Sequence, residues 1–278
     1  MTRANFVAPF IAPFIAAAAL PVARSLRAFF LAALAVLAGC ALHRSDRNAA
    51  RLPWDDAAQL VLVVTPDWNA TQGELRAWSR AADGWHSAGD PIPVVVGRAG
   101  SAWGIGLHPA QAGTQKREGD GRSPAGVFAI GTAFGYAGEA ATSLPYRALT
   151  ADDWCIDVDG SPLYNQIVDA RTVGSAAIRG STEPMRRDLH ADGDQAYKLG
   201  FVVAHNPQAR PAAGSCIFVH LWKSPDSTTS GCTAMTESAL RRLLDWLSPA
   251  AHPAFVLLPQ AEYERLRADW HLPAGGAS

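Results

Sequence analysis

The sequence predicts a mainly β, β-rich α+β domain with one helix near its end. Short runs rich in Val, Leu and Phe recur along the chain between Gly, Pro and Asp residues, as is typical of strands joined by turns. One segment spaces its leucines as a helix does. A hydrophobic content of 49% and a net charge of −1 are those of an ordinary globular protein.

The first three predicted strands follow one another as an antiparallel meander. Residues 60–65 are a β-branched run closed by Pro66, and residues 73–80 alternate as a half-buried strand does. Asp83-Gly84 is a turn signal, and residues 93–97 form the third strand.

Two irregular segments come next. Residues 114–136 combine charges and glycines, chiefly at 116–128, before becoming apolar, which indicates an ordered polar loop that lines a site. Residues 152–194 are rich in Asp, Pro and Gly and have little periodicity, so we expect an excursion that covers one side of a cleft. Strand character returns at residues 197–204, 217–220 and 255–258.

The predicted helix begins after Thr236. This threonine suits an N-cap, and Glu237 places negative charge at the positive end of the helix dipole. Four leucines then fall on one helical face: Leu240, Leu243, Leu244 and Leu247.

The N-terminus has the pattern of a lipoprotein signal. Two apolar runs, residues 6–19 and 28–38, are each too short to span a membrane, and the second follows a positively charged segment. Leu37-Ala38-Gly39-Cys40 resembles a bacterial lipobox, so we predict a signal peptide over residues 1–39 and lipidation of Cys40. A plain signal anchor, or cleavage elsewhere, is the alternative.

The rest of the chain divides into a tether at 40–57, a folded domain at 58–262 and a C-terminal tail at 263–278. The four cysteines fit an exported protein in which Cys40 is lipidated and one other stays free. Cys155 and Cys216 are then left as either a disulfide in an oxidising periplasm or two buried thiols, and both alternatives stay open.

The charge balance argues against two kinds of partner. Lys and Arg are neither in excess nor clustered, so we expect no nucleic acid as a partner. The near-neutral balance gives no reason to expect binding to an anionic membrane surface through charge alone.

His220 and Cys232 look like the two halves of a cysteine acyl-transfer site. The apolar run before His220 predicts a buried strand that ends in the histidine, and the loop up to Ser230 returns the chain. A thiol attacks an acyl carbon as thiolate, which a neighbouring imidazole generates. Gly231 permits a tight turn, and the amides of Gly231 and Cys232 are suited to hold an oxyanion.

These segments resemble the YkuD-like L,D-transpeptidase family. Residues 116–128 are similar to K-x-R-E-G-D-G-x-T-P-A-G-V-F of an exported subgroup, which contains the family's T-P-x-G-x-F element. Residues 229–235 are similar to T-A-G-C-V-A-L, and His220 matches the family's histidine. The resemblance covers residues 58–260.

The resemblance implies a β-sandwich catalytic domain with one helix after the catalytic cysteine. Cys232 would be acylated by a peptidoglycan stem peptide, with His220 as base. An amine would resolve the acyl-enzyme to give a crosslink, or water would resolve it to give trimming, as in an L,D-carboxypeptidase. No metal or organic cofactor is implied. Together with the predicted lipoprotein signal, the resemblance predicts an enzyme in the periplasm that is anchored by lipid to the outer membrane.

Two positions depart from the family pattern. Ser230 stands where the histidine of S-H-G-C is usual, and Ala234 where an Arg or Asn is usual, so recognition of the donor's carboxylate must come from elsewhere. Arg117 and Lys116, in the polar loop, and Tyr164, in the excursion, are the candidate substrate-binding residues. The alternative for the two cations is a solvated or internally paired charge.

Two other classes of protein compete with this interpretation. A zinc hydrolase would use His205, His220 and Cys232, although no closely paired ligand spacing supports it. A non-catalytic, cell-wall-binding lipoprotein is the second, and the intact His220 and Cys232 argue against it.

Overall fold

The computed structural model describes residues 51–275. The predicted signal peptide and Cys40 lie outside the described residues. None of the helices in the described range is long and apolar enough to cross a membrane.

Strands dominate the described chain, and the mainly β class is confirmed. In chain order the strands are β1 (Gln59–Thr65), β2 (Gln72–Ala81), β3 (Gly84–Ser87), β4 (Ile92–Val95), β5 (Ser101–Trp103), β6 (Ser123–Gly135), β7 (Tyr146–Ala148), β8 (Asp153–Cys155), β9 (Ile167–Asp169), β10 (Glu183–Pro184), β11 (Leu199–Val203), β12 (Phe218–Leu221), β13 (Thr233–Met235) and β14 (Ala254–Pro259). The helices are α1 (Ala170–Val173), α2 (Arg187–His190), α3 (Glu237–Trp246) and α4 (Gln260–Leu266), with a 3-10 turn at Pro249–Ala251.

Eight of these strands close into a ring. Its order is β1-β14-β6-β11-β12-β13-β4-β2, and β1 pairs with β2 as well as with β14. The two layers expected of a β-sandwich are therefore opposite walls of one closed sheet. Both β1 and β14 are buried along their whole length, which explains why they are continuous apolar runs rather than alternating ones.

The longest strand, β6, begins inside the segment predicted to be a polar loop. Its apolar residues Val127 and Phe128 pair with Val256 and Phe255 of β14, so the second half of the loop prediction is corrected to strand. Only the charged first half, residues 116–122, forms the loop. This strand carries the polar loop directly into the wall of the ring.

The predicted excursion folds as a small sheet of its own. Within residues 152–194, β8 pairs with β9 and with β10, separately from the ring. A disulfide joins Cys155 of β8 to Cys216, just ahead of β12. The structure thus shows the first of the two alternatives for these cysteines, and the bond fastens the excursion to the ring.

Helix α3 has the predicted cap and apolar face. The Thr236 hydroxyl accepts a hydrogen bond from the amide of Ala239 (3.3 Å). The four leucines of the predicted stripe are all buried: Leu240, Leu243, Leu244 and Leu247. Helix α4 is an element that the sequence analysis did not predict.

The folded domain extends beyond the predicted limits of 58 and 262. Trp54, assigned to the tether, is 3% exposed, and its indole nitrogen donates to the carbonyl of Trp270 (2.9 Å). Trp270, assigned to the tail, packs against both Trp54 and Trp103. Residues assigned to the tether and to the tail therefore belong to the folded domain, because Trp54 and Trp270 bury apolar surface against each other.

Candidate active site

The pairing of β12 with β13 brings the predicted nucleophile and base to one face of the sheet. The two strands are parallel, with Val219 opposite Thr233 and His220 opposite Ala234. Since side chains alternate along a strand, Cys232, two residues before Ala234, faces the same side as His220. The methyl group of Ala234 leaves this face open beside the imidazole.

The Cys232 thiol is buried and held by backbone groups. Its Sγ accepts a hydrogen bond from the amide of Phe218 (3.3 Å) and lies 3.5 Å from the carbonyl oxygen of Cys216. Burial raises the pKa of this thiol to about 12, and the negative charge of Glu183 acts in the same direction. Cys232 is therefore a protonated thiol at neutral pH.

The His220 imidazole is held by the backbone through one of its two nitrogens. Its Nδ1 lies 2.8 Å from the carbonyl oxygen of Leu221, and because a carbonyl only accepts, Nδ1 carries the proton. Nε2 is then left as the acceptor. The ring packs edge-on against Tyr197, at 5.2 Å between centroids, and burial lowers the pKa of His220 to about 4. His220 is thus a neutral acceptor at neutral pH.

The turn before Cys232 is fixed by two hydroxyl groups. Ser123 and Thr229 both donate to the carbonyl oxygen of Cys232, at 3.0 and 2.6 Å. Gly231 has a φ of 152°, and a Cβ at this position would lie 2.9 Å from the carbonyl oxygen of Arg122, so a glycine is required. The T-P-x-G-x-F-like segment therefore supports the turn at Cys232 through Ser123.

One predicted role at this turn needs correction. The amide of Gly231 donates to the Thr229 hydroxyl (3.1 Å), so it is not free to hold an oxyanion in this geometry. Thr229 competes for the amide because it lies two residues earlier in the same turn.

His220 and Cys232 lie in a cleft of about 420 Å³. The excursion supplies one wall, as expected from its position in the sequence, through Asp157, Thr182, Glu183, Arg187 and Asp194. The polar loop supplies another part through Lys116 and Glu118.

The three predicted substrate-binding residues fall in different places. Lys116 lines the cleft, but its ammonium is buried and donates to Asp120 (2.5 Å) and to the carbonyl of Arg117 (2.6 Å). Arg117 is exposed and is not among the residues that line the cleft. Tyr164 is buried behind the wall, where its hydroxyl donates to Glu118, so it supports the loop rather than facing the cleft.

Two lining groups have roles that the sequence analysis missed. Glu183 accepts a hydrogen bond from the Tyr197 hydroxyl (2.7 Å), and burial raises the pKa of its carboxyl group. This contact fixes the ring that packs on His220. Arg98 reaches the cleft from the end of a predicted strand, where no motif marks it.

The proposed zinc ligand His205 is already engaged on both sides of its ring. Its Nδ1 accepts from the amide of Ile105 (3.2 Å), and its Nε2 donates to the carbonyl of Ala213 (2.9 Å). Between residues 51 and 275, no three His, Cys, Asp or Glu side chains are grouped as metal ligands. His205 is therefore a buried structural histidine.

A sequence comparison identifies the family of the domain that contains this cleft. The family model of the L,D-transpeptidase catalytic domain, YkuD, matches residues 80–256, which include the whole cleft region from Arg98 to Ala234. The chain belongs to the YkuD L,D-transpeptidase family. No match was found among curated proteins.

One solved structure resembles this L,D-transpeptidase domain weakly. It is titled "Structure of Bdellovibrio bacteriovorus Bd1075", is 10% identical in sequence and superposes with a TM-score of 0.38. The match covers 77% of this chain and 55% of that chain, so this chain spans about half the length of that protein. A similarity at this level supports no functional argument.

The protonation state of the Cys232 thiol can be tested directly. Iodoacetamide should modify Cys232 more slowly than it modifies free cysteine at pH 7, because burial keeps the thiol protonated. The rate should then rise about tenfold per pH unit between about pH 6 and pH 10, since only the thiolate reacts. Peptide mapping by mass spectrometry measures the rate at Cys232, with N-acetylcysteine as reference. A rate already constant at pH 6 would contradict the neutral pair and indicate a preformed thiolate.

Proposed function

We propose that the protein is a cysteine-dependent L,D-transpeptidase that acts on peptidoglycan stem peptides. The observation that carries this proposal is the placement of Cys232 and His220 on one face of paired strands, in a cleft, with His220 Nδ1 held by a carbonyl. Because Nδ1 is held by the Leu221 carbonyl, Nε2 is the imidazole nitrogen that remains to accept the thiol proton.

The reaction proceeds in two acyl transfers. As Cys232 Sγ bonds to the carbonyl carbon of the donor stem, His220 Nε2 takes the thiol proton. The peptide C–N bond then breaks, and His220 returns the proton to the departing amine, which leaves a thioester. An acceptor amine attacks the thioester, loses its proton to His220 and displaces the Cys232 thiolate, which is reprotonated.

The same thioester can also be resolved by hydrolysis. If water replaces the acceptor amine, the product is a shortened stem, and the activity is that of an L,D-carboxypeptidase. A non-catalytic cell-wall-binding lipoprotein needs neither a buried thiol nor an oriented imidazole, so the retained pair favours an enzyme.

We further propose that the enzyme is exported and lipid-anchored through Cys40, in the periplasm at the outer membrane. The signal-like segment supports this location. The disulfide between Cys155 and Cys216 is compatible with an oxidising compartment.

The function is tested by trapping the thioester. Incubation of the full-length protein, with the Cys155–Cys216 disulfide intact and Cys232 as a free thiol, with purified muropeptides should give a covalent adduct on Cys232, detected by intact-mass spectrometry, and none in Cys232→Ala. Crosslinked products would indicate transpeptidation, and shortened stems would indicate hydrolysis. If the folded wild-type protein gives neither adduct nor product, the non-catalytic binding protein becomes the better interpretation.

A further inference from the structure

Four cations line the active-site cleft, and one of them differs from the others. Three already contact carboxylates at 3.4 Å or less: Lys116 with Asp120, Arg187 with Asp194, and Lys223 with Asp194. The fourth, Arg98, has no ion pair within residues 51–275. Among the cleft cations of the described residues, it is therefore the one whose charge no carboxylate balances.

Arg98 is nevertheless held in place. Its amide donates to the carbonyl of Thr229 (2.8 Å), and its Nη1 donates to the hydroxyl of Ser230 (2.9 Å). Its side chain also runs past Gly121, where an added Cβ would come within 3.0 Å of three side-chain atoms of Arg98. Arg98 is exposed, and these contacts place its guanidinium beside the turn that carries Cys232.

The chemistry of this position suits an anionic group on the substrate. A guanidinium has five N–H donors in a planar fork, and the Ser230 hydroxyl occupies one of them. The fork matches a carboxylate, which it binds with two parallel hydrogen bonds. A side chain that is already oriented loses less conformational entropy when such a ligand binds.

We propose that Arg98 is a specificity-determining residue that binds a free carboxylate on the acyl donor, next to the carbonyl that Cys232 attacks. The proposal rests on the proposed function, because it assumes that a stem peptide is the donor. Ser230 is then a positioning residue that orients the guanidinium. A histidine at position 230 is not needed for the nucleophile, since Cys232 and His220 are held by other groups.

The test uses two synthetic stem-peptide donors that differ in one group. One has a free side-chain carboxylate on the residue that carries the attacked carbonyl, and the other has the corresponding carboxamide. Wild-type protein should acylate faster with the carboxylate donor, by about 10- to 100-fold in kcat/KM, which corresponds to about 1–3 kcal/mol for a charged hydrogen-bonded pair. Arg98→Gln should remove this preference by slowing only the carboxylate donor.

Three further variants separate binding from structure. Arg98→Lys should recover part of the preference, since it restores the charge without the fork. Ser230→Ala should raise KM for the carboxylate donor more than it lowers kcat, because it frees the guanidinium. Lys223→Gln removes a cleft cation that already contacts Asp194, and it should keep the preference between the two donors.

The outcomes distinguish this proposal from the proposed function. Wild-type protein that acylates equally with both donors, or Arg98→Gln that slows both donors equally, would overturn the role of Arg98 while the transpeptidase assignment stands. Wild-type protein that forms no adduct with either donor would remove the proposed function itself.

Discussion

Replacing His220 by glutamine should slow acylation of Cys232 by about 10²- to 10⁴-fold, the usual contribution of a general base, while the ring of strands stays folded. Glutamine has nearly the size of histidine, and its amide can still donate to the carbonyl of Leu221. It cannot take a proton from the thiol. The loss is therefore chemical, and circular dichroism should show an unchanged fold.

The dependence on pH separates the loss of a base from a general disturbance. Because the pKa of His220 is lowered to about 4, the wild-type acylation rate should be constant above about pH 5 and fall as pH decreases through about 4. In His220→Gln only thiolate reacts, and the pKa of Cys232 is raised to about 12, so the rate should keep rising with pH. Single-turnover adduct formation, followed by mass spectrometry, measures both profiles.

His205→Gln is the matched control for this experiment. His205 is also buried at the end of a strand, and burial lowers its pKa to about 4 as well. Its two ring nitrogens bond to the backbone amide of Ile105 and the carbonyl of Ala213, and neither nitrogen bonds to Cys232 or His220. The variant should alter stability and leave the shape of the acylation profile unchanged. Normal acylation in His220→Gln would remove His220 from the role of base.

Features that depend on residues near in sequence were predictable. The leucine spacing and the Thr236 cap define α3 within one segment, and the structure reproduces both. The mainly β class rests on β-branched runs such as β1, which become strands because their residues are apolar on both faces. The assignment to the family likewise follows from motifs within residues 116–128 and 229–235.

Features that depend on distant pairs were not predictable. The Trp54 indole bonds to a carbonyl 216 residues away, so nothing near Trp54 marks it as part of the domain. Arg98 and Ser230 are 132 residues apart, and Arg98 has no motif of its own. The predicted oxyanion role of the Gly231 amide was wrong for a different reason. The Gly231 amide donates to the Thr229 hydroxyl, and the position of that hydroxyl depends on the rotamer of the Thr229 side chain.

The disulfide between Cys155 and Cys216 should stabilise the fold and the cleft to different extents. It closes a chain separation of 61 residues, and the entropy of that loop in the unfolded chain corresponds to about 4 kcal/mol. The double variant Cys155→Ala/Cys216→Ala should therefore lose about 2–4 kcal/mol of unfolding free energy, which lowers Tm by about 6–12 °C in a domain of this size. Thermal unfolding without reductant measures this change.

Activity should be lost at lower temperature than the fold in this double variant. The bond fastens the excursion, which supplies the wall with Glu183 and Asp194, and the carbonyl of Cys216 contacts Cys232 Sγ. The ring itself closes through strand pairs that do not include either alanine position. The cleft wall and the Cys232 side chain should therefore become mobile while the ring of strands stays folded. As a result, the acylation rate should fall at temperatures where circular dichroism still reports folded protein. Acylation and ellipticity that decline together would show instead that the excursion stays in place without the bond.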